Sequence, residues 1–421
     1  MNIKQSLCVA VVLSSIGIAP ALAFDDAAAL PVALGAGKPD LDVRLRYESV
    51  DQDNFSDKGE ATSVRARLGY TTGHWNDFDG QVEFEGTAAL GSENYNSTEN
   101  GNSQYPVIPD PTGSEFNQYW IRYSGLPDTA IKIGRQRIIY DNARFVGNVG
   151  WRQKEQTYDG VSLTGTWLPK LTFNYAYLSN IKSFRYFPIN GVNTDNIDLD
   201  GAQLINLAYK AKPWLAVSGY GYLLNFAYDP PTTTLNNPRR DTATAGLRVT
   251  GSVPLKPLNL SYALEYAHQS DYADAPKSID ANYYLVEAGA AYSKFSAKLG
   301  FEVLGGDGHY AFQTPLATLH AFQGWDDQFL VTPAAGVEDF YISLGGGVEK
   351  VKLLAVWHDY NANDSSGSRY GSEIDLQATR PLGKNFVLGL KYAGYTADNY
   401  PSAAGKPYDT TKFWTWLEYK L

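Results

Sequence analysis

Arginines recur in pairs two residues apart. Arg44 and Arg46 flank Leu45, Arg65 and Arg67 flank Ala66, and a matching acidic pair, Glu83 and Glu85, flanks Phe84. A guanidinium is a flat fork of donors that fits a carboxylate bidentately, so repeated pairs could hold and hand on an acidic solute. Arg122, Lys132, Arg248 and Lys391 add cations further along, and Arg135, Arg137, Arg144 and Arg152 crowd one stretch that also carries Asp159. The same side chains could do no more than neutralise one another, Arg65 and Arg67 against Glu83 and Glu85. Both readings stay open on sequence alone.

Other chemistry is thin. A hydrolase on this chain would need a Ser/His pair with an acid behind the His. The nearest approach is His358-Asp359 with Ser365, Ser366 or Ser368, and adjacent strand residues point opposite ways. No catalytic residues are therefore assigned, and the chain is expected not to be an enzyme. The run Asp195-Asn196-Ile197-Asp198-Leu199-Asp200 offers oxygen ligands for calcium but lacks the glycine and closing glutamate of a helix–loop–helix site; otherwise no cofactor is expected. A single cysteine, Cys8, excludes a disulfide framework and a multi-cysteine metal site. With 35 Lys+Arg against 45 Asp+Glu, the net charge of -10 argues against a nucleic-acid partner.

The elements that must carry the arginines are strands. In Leu41–Glu48 every odd position is apolar or aromatic and every even one charged, which gives a strand one greasy and one ionic face. The alternation recurs with starts near 41, 63, 80, 116, 130, 157, 171, 201, 214, 241, 258, 281, 295, 338, 349, 371, 386 and 411. Connections alternate between short, such as Ser293-Lys294, and long polar ones near 51–62, 91–115, 139–156, 181–200, 226–240, 269–280, 305–337, 361–370 and 396–410. An outer-membrane barrel has that asymmetry, with short periplasmic turns and long extracellular loops. Closure pairs every backbone group inside lipid without leaving an edge. The expected fold class is all-β: a transmembrane antiparallel β-barrel of about 18 strands.

Tyr47, Tyr70, Tyr123, Trp167, Tyr209, Tyr292, Tyr392 and Tyr419 sit near strand ends, where interfacial aromatic girdles belong. Lys4, the apolar stretch Leu7–Ile18 and Ala21-Leu22-Ala23 read as a secretory leader over 1–23. A periplasmic segment 24–40 and a barrel over 41–421 follow, in the bacterial outer membrane, with lipid around it and the chain expected to work as a monomer. Arg135 and Arg137 break the inward parity of their strand, so entry of one or both into the lumen calls for a bulge.

Two stretches resemble the bacterial alginate-export family: "GRQRIIYDNARFVGNVGWRQKEQTYDG" (134–160) and "GDGHYAFQTPLATLHAFQGWDDQFLVTPAAGVEDFY" (306–341). The resemblance implies an 18-stranded outer-membrane barrel and a uronate-like substrate class. It also implies that Arg135, Arg137, Arg144 and Arg152 belong to a basic constriction, with Asp159 an acid in the same region. An exporter of that family would be expected to carry a long periplasmic turn near its C-terminus, whereas here only Pro381–Asn385 is available. The apolar residues of 305–337, among them Phe312, Leu316, Leu319, Phe322 and Trp325, are expected to fold against the mouth or into the lumen, as a gate or as a plug. The sequence thus points to a passive outer-membrane channel for anionic saccharides, alginate or oligouronate-like. A general diffusion porin of weak selectivity and a plugged surface barrel that binds a partner through its loops are the alternatives.

Overall fold

The computed structural model describes residues 29–189, 191–228, 236–276, 278–364, 367–398 and 408–421. The expected leader at 1–23, with Cys8, lies outside them, as do Ser365 and Ser366. A short helix α1 (Ala29–Gly35) precedes β1 (Lys38–Gln52), β2 (Gly59–Thr71), β3 (Phe78–Ala89), β4 (Gly113–Leu126), β5 (Thr129–Gln136) and β6 (Thr157–Gly165). Next come β7 (Leu171–Ile189), β8 (Val192–Lys212), β9 (Leu215–Leu224), β10 (Thr242–Leu255), β11 (Leu258–Asp271) and β12 (Asp280–Tyr292). The chain ends with β13 (Phe295–Leu304), β14 (Val337–Val348), β15 (Val351–Asn361), β16 (Arg369–Leu382), β17 (Phe386–Ala397) and β18 (Thr410–Lys420). Each strand pairs antiparallel with its sequence neighbours, and β1 closes on β18 with Leu45 opposite Leu417, giving one closed 18-stranded sheet.

Burial is inverted relative to a protein in water. Leu68, Ile121, Leu299, Leu344 and Ile374 are exposed, while Arg46, Arg65, Glu85 and Asp375 are buried. The period of two explains it: most outward strand positions are apolar, where lipid is the solvent, and most charged strand residues face in. The aromatic residues expected at strand ends also lie on the outer face, Trp167, Tyr209 and Tyr292 among them.

The turns 127–128, 213–214, 256–257, 293–294 and 349–350 lie at one end with 72–77, 166–170 and 383–385; the segments 90–112, 137–156 and 305–336 lie at the other, where β7 and β8 also join. Helix α1 packs at the short-turn end, where Gly73 N donates to Ala33 O (2.9 Å) and the Tyr70 hydroxyl to Leu34 O.

One long segment is not a loop. Residues 181–200, expected to be irregular, extend β7 and β8 into a tall hairpin closed at Ile189 and Val192. The polar composition hides a surviving alternation: Asp195, Ile197 and Leu199 face one way, Asn196, Asp198 and Asp200 the other. That splits the three aspartates between two faces, so they cannot converge on calcium as the sequence reading allowed. Asp195 instead accepts a 2.7 Å hydrogen bond from Lys182 Nζ.

Candidate permeation pathway

The lumen has two unlike walls. From β6 to β12 the inward positions bring Tyr158, Leu178, Leu204, Tyr220, Tyr222, Tyr283 and Leu285 into one apolar cluster. The wall from β14 round through β18 to β5 is ionic: Arg44, Arg46, Glu48, Arg65, Arg67, Glu83, Glu85, Asp339, His358, Glu373, Asp375, Lys391 and Lys412 are all buried. Two loops fill the space between.

Residues 137–156 enter from the rim after β5. Phe145 packs on the aromatic wall, 5.1 Å from the rings of both Tyr220 and Tyr283. Val146 forms a parallel bridge with Leu316 of segment 305–336, which has also turned inward. Arg144 Nε donates to Glu302 Oε1 of β13 (2.6 Å), and its other nitrogens reach Thr314 and Gln323. The chain then crosses to the ionic wall. Arg46 donates to Trp151 O (2.7 Å), Arg44 Nε to Gln153 Oε1 (3.0 Å), and Arg152 to both oxygens of Glu48 (2.9 and 3.0 Å).

Glu155 finishes the crossing between Arg137 Nε (2.8 Å) and Asn117 Nδ2 (2.6 Å). A register shift opposite Glu83 and Phe84 lets Asn117 and Gln118 both turn inward to meet these carboxylates, a bulge put to use. Burial alone would raise the Glu155 carboxyl, but Arg67 and Arg137 outweigh it and hold it at about 2.

Segment 305–336 is seated by a second cluster. His320 bonds Asp327 through Nδ1 (2.8 Å) and accepts from Lys391 Nζ of β17 at Nε2 (2.7 Å). It stacks on Trp151 with ring centroids 5.0 Å apart. The Lys391 ammonium lies 3.6 Å from the Trp325 centroid and 4.3 Å from that of Trp151, within cation–π range. Asp327 also receives Arg152 and Lys412 Nζ, each at 2.9 Å. Burial, aided by Lys391 and Arg152 against Asp327, holds His320 well below its usual value and therefore neutral. Burial works to raise Asp327, but His320, Lys412 and Arg152 hold it well below the carboxylate range.

Most residues singled out from the sequence do gather inside, and carboxylates meet most of them. Arg46 pairs with Asp110, Arg67 with Glu85, and Arg248 with Glu265; Arg65 pairs with Asp42 and Glu418 (3.3 Å) rather than with Glu83 or Glu85. Arg122 grips Asp79 bidentately at 2.8 and 2.6 Å, and beside it Lys132 Nζ lies 4.3 Å from the Trp120 centroid.

Arg135 and Asp159 are a correction. β5 keeps its parity up to Gln136, so Arg135 stays on the side of Ile131 and Ile133, paired with Asp159 at 2.8 and 2.7 Å on the outer face. Neither belongs to a constriction. Arg137 does enter, because the strand has ended before it.

Sequence reasoning missed Asp110, Trp151, Glu155, His320, Asp327 and Lys412, which seat the loops. Only the charged and aromatic density of 151–155 and 320–327 could have signalled them. Above the crossing lies a cavity of about 950 Å³ at the long-loop end, lined among others by Val50, Val107, Arg152, Arg185, Asp327, Leu330 and Lys412.

Solved structures of similar shape are outer-membrane barrels. OccAB2 of Acinetobacter baumannii superposes with a TM-score of 0.72 at 16% identity, covering 92% of this chain and 99% of its own. OccK5 (OpdH) of Pseudomonas aeruginosa gives 0.69 at 15%, and the outer membrane protein opdK of the same organism 0.70 at 14%, both with 92% and 99% coverage. At such identities the likeness is one of fold. No curated protein matches the sequence. The family model for alginate export matches residues 39–306, across β1 to β13 and both arginine pairs. On that match, and with a closed 18-stranded barrel greasy outside and ionic within, the chain belongs to the alginate-export family of outer-membrane channels.

Proposed function

We propose that the protein is a passive outer-membrane channel for anionic saccharides, uronate-like in charge, that pass along the ionic wall. The observation that carries the reading is the succession of arginines, each already held by a protein carboxylate or carbonyl, from Arg152 through Arg46, Arg44, Arg67 and Arg65 to Arg122. A solute carboxylate exchanges with the resident partner at each step. Attraction is thus local, and no site holds so strongly that the solute cannot leave, as conduction requires. The aromatic wall gives sugar ring faces a surface without competing for the charge.

Passage also needs the loops to move. Arg46 and Arg65 are 1% exposed, so the resting arrangement leaves no water-filled path against these side chains. The channel reading therefore includes a gate formed by 137–156 and 305–336. A planar-bilayer recording under a salt gradient tests it: an anion-selective reversal potential and block by oligogalacturonate are expected. Cation selectivity without block would reject the anionic class. That burial favours a second reading, a barrel closed at rest whose loops meet a partner; silence in the bilayer, relieved by deleting 315–328, would favour it.

A further inference from the structure

At the mouth, two guanidiniums lack what most of those in the lumen have. Arg185, on the tall β7 extension, and Arg239, just before β10, both lie over Phe187, each 4.7 Å from its ring centroid. Among the described residues neither forms an ion pair, and Arg185 Nε and Arg239 Nη1 are buried without a hydrogen-bond partner. A buried donor left unmade costs about 1–3 kcal/mol, and more when charged. The electron-rich ring face offsets part of the repulsion between two like charges but supplies no acceptor. Like charges converged on one ring and left without a counter-ion describe half of an anion site.

The other half is space. Arg185 lines the cavity of about 950 Å³, at the upper end of small-molecule pockets. The other charges on its wall are spoken for: Arg152 and Lys412 by Glu48 and Asp327, and Asp307 by the N–H groups of His309 and Tyr310. Asp326 is the exception, buried against Glu373 and Asp327. Burial, with those two carboxylates, raises it well above the carboxylate range, so it carries little opposing charge. Val50, Val107, Leu330 and Val331 give the cavity apolar walls.

We propose that this extracellular vestibule is a binding site for an acidic oligosaccharide, whose carboxylates complete Arg185 and Arg239 while its ring faces lie on the apolar wall. It borders the exchange wall only at Arg152, which lines both, and rests on the reading above only for the class of anion.

The test is calorimetric titration of trigalacturonate, with maltotriose as the neutral control, into the full chain in detergent. This reports binding whether or not the gate opens. R185Q, R239Q and the double variant are compared with wild type, each first shown to be folded by heat-modifiable gel mobility. Trigalacturonate affinity at least tenfold weaker in the double variant, with maltotriose not bound by any form, is expected. Unchanged affinity in the double variant, absence of wild-type binding, or equal binding of maltotriose would overturn the site. Failure of the channel reading registers elsewhere, as a reversal potential without anion selectivity while the vestibule still binds.

Discussion

Glu155 is the residue on which the loop crossing turns, since it joins Arg137, Asn117 and Asn148. Removing one partner of a buried charge set leaves the others uncompensated, at a cost of about 3–5 kcal/mol. Glu155→Gln is expected to unseat 137–156 and make it cleavable by trypsin at Arg137, Arg144 or Arg152 in the folded protein. The pH dependence has a definite sign. The carboxyl titrates at about 2 when folded and near ~4.3 when free, so its contribution is complete above ~4.3 and is lost as pH falls through 2. Trp151, one bond network away, should report the loss as a red shift of emission below pH 4 that is absent at pH 5. His320 works in the same sense but from a higher pH: its depressed value means that the unfolded loop takes up the proton more readily. Seating by His320 is therefore complete above ~6.5 and weakens as pH falls below it. His320→Gln should remove that part of any acid response.

At the scale of elements, Asp327 anchors segment 305–336 by serving Arg152, Lys412 and His320 at once. Asp327→Asn is expected to raise open probability several-fold in single-channel recordings while leaving the barrel's thermal transition in place. An open probability equal to the parent's would remove Asp327 from the gate. The eighteen strands were legible because apolar and charged residues alternate with a period that the outer lipid and the inner charges both enforce. Segment 181–200 was not, because Asn and Asp dominated the composition while the alternation Asp195, Ile197, Leu199 beneath it was passed over. The arginines of the strands were legible as inward. Their partners were not, since Arg46 meets Asp110 across 64 residues and Arg152 meets Glu48 across 104, separations that no local pattern encodes. Arg135 misled for a simpler reason: resemblance grouped it with Arg137, and one residue of parity separates outside from inside.

The whole molecule is organised by its inverted burial. Leu299, 52% exposed in the middle of β13, should tolerate no charge: Leu299→Arg costs about 2–4 kcal/mol at the midplane and is expected to deplete the heat-modifiable form. Leu255, equally exposed but at the short-turn end of β10, should take Arg at about 0–1 kcal/mol. The two together measure the depth of the membrane on this chain. The loops that cross the lumen have a mechanical consequence as well. They tie β1, through Glu48 and Arg152, to β18 through Asp327 and Lys412, and the same inserted pair of loops reaches β13 through Arg144 and Glu302. Spokes of this kind stop a hoop from going oval. Squeezing or thinning the surrounding bilayer is then felt at the hub, and on the gated-channel reading membrane tension would be a second hand on the gate.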